Sequence, residues 1–167
     1  FRAPIGAPVC SLDRFLLLRG WLPAINLILV SFVFGMLLTT INMYTESVQM
    51  QEMTLHFFIL LAGGFVLAMI ANKHVFENAD ISGLLLMGAS LLLIITHVDS
   101  LALMTAAVMM GLGLGLVSSD FLLILVKLSE HCQRGTANTT YLLAWELGVA
   151  LGVAVGCYLI DISSYIS

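Results

Sequence analysis

In a chain of 167 residues, 60% hydrophobic and only 10% charged, with a mean hydropathy of +1.08, the balance lies far from that of a soluble domain. It places the chain among integral membrane proteins with the lipid bilayer as their surroundings, and six Lys and Arg are too few and too dispersed to track a nucleic-acid backbone. The net charge of −4 carries little meaning, because in a membrane the positions of charges matter more than their sum.

Residues 1–20 read as a cytoplasmic linker. Pro4, Gly6 and Pro8 open it, and Ser11 to Arg19 follow as a short amphipathic helix lying at the membrane surface, with Ser11 as N-cap and Arg14 and Arg19 in headgroup water. The apolar run Phe15–Leu18 is too short for the core of a signal peptide. Because the first residue is Phe1 rather than Met, the chain is expected to be a fragment.

Crossing the ~30 Å hydrocarbon core takes about 20 apolar residues in a helix. Five segments meet or approach that length, at about 21–44, 54–71, 81–98, 101–126 and 137–160. They predict an all-α integral membrane protein, with residues 21–167 forming a transmembrane helical half-domain truncated before a sixth helix. Trp21 and Tyr44 bracket the first span, where interfacial aromatic belts favour them.

With five crossings, Arg2, Arg14, Arg19, Lys73, Lys127 and Arg134 all fall on one side, and they are every Lys and Arg in the chain. Glu46, Glu52, Asp99 and Asp161 lie in the opposite loops. The positive-inside rule then predicts a multi-pass protein of the cytoplasmic (inner) membrane with its N-terminus in the cytoplasm. Lys73, Lys127 and Arg134 are candidates for a cytoplasmic gate.

A helix turns about 100° per residue, so positions three, four and seven apart share a face. On span one, Ser31, Gly35, Thr39 and Asn42 form such a stripe, suited either to close helix packing or to lining a cavity. Span three is nearly unbroken hydrocarbon and reads as a peripheral, lipid-facing helix. On span four, Gly111, Gly115 and Ser118 form a small-residue seam, with Asp120 almost opposite. On span five, Gly148, Gly152 and Gly156 form a second seam flanked by Tyr141 and Trp145, with Glu146 about a third of a turn away.

By helical rise, Glu146 lies roughly 13 Å into its span, near the bilayer midplane, and Asp120 about 10 Å in from Lys127. A carboxylate at that depth costs on the order of 3 kcal/mol unless paired, hydrated or protonated. Glu146 is therefore the first candidate for a proton-coupling or substrate-cavity site and Asp120 the second, with an ion pair between Asp120 and Lys127 as the structural alternative. Asn42, Thr39, Ser31, Trp145 and Tyr141 are further cavity candidates.

Other chemistry is poorly supported. Gly111-Leu112-Gly113-Leu114-Gly115 has no preceding strand and lies mid-membrane, which excludes a nucleotide loop. Glu130-His131-Cys132 are adjacent residues that do not converge easily on one metal ion. Cys10, Cys132 and Cys157 lack the spacing of a zinc site or a disulfide framework. No nucleophile-and-base pair is present, and neither enzyme activity nor a cofactor is expected.

The run Arg134-Gly135-Thr136-Ala137-Asn138 followed by Gly148, Gly152 and Gly156 resembles the tenth-to-eleventh-helix region of a major facilitator superfamily transporter. Phe1-Arg2-Ala3-Pro4, the Leu12–Leu18 piece and Trp21-Leu22-Pro23 resemble that family's central loop entering its seventh helix. The loop from Asn72 to Asp80 departs from the family's gate motif, lacking its Asp-Arg pair and paired bases. The resemblance implies helices seven to eleven of a secondary active transporter, the C-terminal half of a permease. That half would pair with an N-terminal six-helix half and move a small-molecule substrate by alternating access. The alternative, of a different class, is a non-transporting membrane module whose glycine seams serve helix association or complex assembly.

Overall fold

A computed structural model describes residues 16–43, 48–71, 79–96, 100–129 and 134–166. All five long elements are α-helices: α1 (Trp21–Met43), α2 (Val48–Ala71), α3 (Ala79–Thr96), α4 (Ser100–Leu128) and α5 (Arg134–Ile166), preceded by one 3-10 turn, Leu18–Gly20. Each is long and apolar enough to cross a membrane. Most of the expected surface helix lies in residues 1–15, outside the described residues, as does Lys73.

The helices are longer than the apolar windows that signal them. α2 starts at Val48 rather than residue 54 and α5 runs on to Ile166 rather than residue 160. Backbone hydrogen bonding continues through polar residues such as Gln49, Gln51 and Asp161, which a hydropathy window excludes. Pro23 sits in the first turn of α1, where a missing N–H leaves no intrahelical bond unmade. Asp80 occupies the first turn of α3, where a carboxylate complements the positive end of the helix.

α4 is the centre of the fold. Half of its apolar window is buried, against 22–28% in the other four helices. α2 runs parallel to it on one side, where the Gly111 position faces the Leu61 carbonyl oxygen and a Cβ on Gly115 would stand 2.6 Å from the Phe65 carbonyl oxygen. α3 runs antiparallel on another side, its Gly83 opposite Gly113, where an added Cβ would lie 2.8 Å from the Gly113 carbonyl oxygen. Met87 and Ser90 of α3 are buried in that contact while Leu85, Leu92 and Ile95 are exposed, so α3 is covered along one stripe.

α5 packs instead on α1, again in parallel. Gly148 abuts the Ser31 hydroxyl, Gly152 the Phe32 carbonyl oxygen and Gly156 the Thr39 hydroxyl, while Gly35 faces the Val149 carbonyl oxygen. Lipid tails are as apolar as leucine, so in a bilayer helix contacts of this kind are held by close van der Waals packing. A side chain at these glycines would strike the neighbouring helix. The hydroxyls in the contacts bond to their own helices: Ser31 Oγ donates to the Leu27 carbonyl oxygen at 2.8 Å and Thr39 Oγ1 to that of Met36 at 2.7 Å. Among the described residues, no buried side-chain nitrogen or oxygen lacks a partner.

A shared apolar core, including Leu27 of α1, Met110, Leu114 and Val117 of α4, and Ala144 of α5, joins the helices across the middle. At one end Leu17 is buried against Leu125 of α4 and Ala137 of α5. That end also carries Arg19, Lys127 and Arg134, whereas Asp161 lies toward the far end of α5.

Candidate functional site

A cleft of about 520 Å³ lies near the base-bearing end. Its walls come from the start of α1, the start of α3 and the last third of α4. Leu22, Leu29, Leu84 and Phe121 contribute apolar surface, while Asn26, Asp80 and Asp120 contribute an amide and two carboxyls. No cation is among the described residues that line it. Asp80 and Asp120 are half-buried and Asn26 is exposed. The arrangement sets two carboxyls and an amide at the wall of an otherwise apolar trough.

Asp120 reaches the cleft because α4 turns its Gly113 face toward α3, and Asp120 lies two turns further along on that side. Lys127 lies beyond it, exposed, and is not part of the lining. Asn26 and Asp80 are the members of this group that the sequence reading passed over. Asn26 stands alone, away from the Ser31 stripe, and Asp80 reads as the end of a polar loop. The one available signal was an amide only five positions into a span otherwise free of polar side chains until Ser31.

Glu146 is elsewhere. It is exposed on α5, with Leu142, Leu143, Leu147 and Leu151 exposed around it. A helix rise of ~1.5 Å per residue puts it roughly 18 Å from Arg134, well away from either end of α5. It belongs to neither the cleft nor the contact with α1.

The remaining candidates serve the contacts between helices. Ser31 is fully buried and Thr39 is 8% exposed, both facing the α5 glycines rather than a cavity. Asn42 lies in the last turn of α1, its side chain outside the described set. The Tyr141 hydroxyl hydrogen-bonds the Ser118 hydroxyl, tying α5 to α4. The Trp145 ring lies 6.1 Å from that of Phe34, between α5 and α1. Arg134 is exposed at the first residue of α5. Gly111, Gly115, Gly148, Gly152 and Gly156 are all occupied by contacts within the chain.

No protein-family model, curated protein or solved structure matches this chain. Its reading rests on its own residues and their arrangement.

Proposed function

We propose that the chain spans the cytoplasmic membrane five times with its N-terminus inside, and forms helices seven to eleven of a major-facilitator-type secondary transporter for a small molecule. The observation that carries this reading is the uncovered face of α5. A carboxyl in the middle of a row of exposed leucines is unfavourable against lipid by on the order of 3 kcal/mol, and among the described residues none forms an ion pair with Glu146. A second helical half meeting that face, with water or a polar group at Glu146, removes the difficulty. The clustering of Arg19, Lys127 and Arg134 at one end supports the orientation.

Asp120 and Glu146 have different parts in this reading. Glu146 faces the other half and the substrate path, while Asp120, with Asp80 and Asn26, lies on the cytoplasmic side of the same half. Either carboxyl supplies a proton-coupling step by exchanging a proton with whichever water reaches it.

The alternative is a non-transporting module whose glycine seams serve helix association or complex assembly; the five seam glycines contact neighbouring helices of the chain, so assembly with another protein would use a different surface. The transport reading is tested with the parent polypeptide in proteoliposomes containing a pH-sensitive dye, challenged with a panel of small molecules. Proton movement on addition of one compound, abolished by Glu146→Gln, is the expected result. A parent protein that inserts correctly yet moves no solute, with or without a proton gradient, ends the transport reading.

A further inference from the structure

The helices fall into two tightly packed groups, α1 with α5 and α2 with α3 and α4. Within each group glycines bring backbones together: Gly35 and Gly152 in the first, Gly64, Gly83, Gly111 and Gly113 in the second. Between the groups the connections are of another kind. Apolar side chains meet in the shared core, the Ser118 and Tyr141 hydroxyls bond, and the segment before α1 crosses from one group to the other.

That crossing is made by Leu17. Its backbone N–H donates to Thr140 Oγ1 at 2.8 Å, and Thr140 Oγ1 in turn donates to the Thr136 carbonyl oxygen at 2.8 Å. Its side chain is 4% exposed, in a socket made by Leu125 of α4 and Ala137 of α5. Gly20 lets the turn sit down on α4, since a Cβ there would come within 2.6 Å of Leu125 Cδ2. The 3-10 turn Leu18–Gly20 runs straight into α1, so the segment is carried by that helix, and its contacts beyond it are the bond to α5 and the seat against α4. The acid-bearing cleft begins a few residues further on, at Leu22, and takes its walls from both groups.

We propose that Leu17 to Gly20 form a latch: seated, it holds the two groups closed at the base-bearing end, and released, it lets α1 and α5 pivot on α4 so that the cleft widens and Asp120 meets water. Ser118 and Tyr141, whose hydroxyls bond beside the Leu17 socket, form part of the pivot. The latch does not depend on the transport reading.

The test measures access to the cleft directly. With Cys10, Cys132 and Cys157 replaced by Ser, Asp120→Cys is introduced into the 167-residue chain in lipid nanodiscs, and its rate of labelling by a charged thiol reagent is followed. The Leu17–Thr140 bond lies within the α1–α5 pair and holds Leu17 in position over Leu125 of α4. Thr140→Val is therefore expected to raise the rate by loosening that seat, up to about fivefold for one net hydrogen bond. Thr140→Ser, which keeps the hydroxyl, is expected to restore the parent rate, and Leu17→Ala to accelerate labelling by emptying the socket. Circular dichroism establishes that each variant is helical, and Leu17→Ala carries the test alone where Thr140→Val does not fold. Rates unchanged within about twofold overturn the latch. Equal acceleration at Ser90→Cys, buried between α3 and α4, also overturns it, because that marks general loosening rather than movement between groups.

Discussion

The α1–α5 pair and the α2–α3–α4 group solve the same packing problem differently. In the pair, the helices meet glycine against hydroxyl and glycine against backbone, and nothing among the described residues covers the leucine-rich side of α5. In the group of three, α4 is gripped from two directions, by α2 at Gly111 and Gly115 and by α3 at Gly113. The difference decides the fate of the two acids. Asp120 is on a helix whose faces are mostly taken, so it is held at the wall of a cleft; Glu146 is on the leucine-rich face of α5, turned away from its contacts with α1 and α4, so it stands in the open. The face each carboxyl occupies, more than its depth along the helix, sets what it can reach.

Glu146→Leu breaks the comparison most sharply. With α5 tested as an isolated segment for translocon-mediated insertion, the substitution is expected to favour insertion by about 3 kcal/mol. No change would mean that the carboxyl is already lifted out of the hydrocarbon. Gly111→Leu and Gly152→Leu come next. Both drive a side chain into a neighbouring backbone, and thermal unfolding in detergent micelles is expected to register losses toward the upper end of ~1–3 kcal/mol. Gly111→Leu is expected to cost more, because Gly111 lies on the most buried helix. Tyr141→Phe removes the hydroxyl bond between the groups and is expected to cost about 1 kcal/mol by the same measurement. The smallest effect is at Gly63, where an added Cβ meets nothing within 4 Å. There Gly63→Ala is expected to stabilise α2 by about 0.5–1 kcal/mol through helix propensity alone; a loss instead would reveal a contact on that face.

The existence and order of the helices were legible because apolar runs of membrane length leave few alternatives to a helix. Their ends were not, since in a stretch such as Val48 to Met53 the apolar residues are interrupted by Gln49, Gln51 and Glu52, which end a hydropathy window and still continue the backbone ladder. Glycine spacing marked Gly111 with Gly115, and Gly148 with Gly152, as faces of close approach. Spacing does not say which helix a face will meet: that Gly113 would meet Gly83, and so turn Asp120 toward Asp80, depends on how distant segments dock. Asn26 was invisible for the same reason. An isolated amide acquires meaning only when a second polar group arrives beside it from another helix.

The parallel pairing of α1 with α5 has a consequence in time. Under the membrane reading, α1 enters the bilayer long before its partner exists. At ~5–20 residues per second, on the order of ten seconds pass while the ribosome covers the stretch between Met43 and Arg134. During that wait the stripe that will meet α5 faces lipid or whatever helix is nearby. Ser31 and Thr39 tolerate it because their hydroxyls bond to carbonyl oxygens of α1 itself, at Leu27 and Met36. The two hydroxyls of the docking stripe are thus satisfied before α5 arrives, and α1 can wait in the membrane with that surface intact.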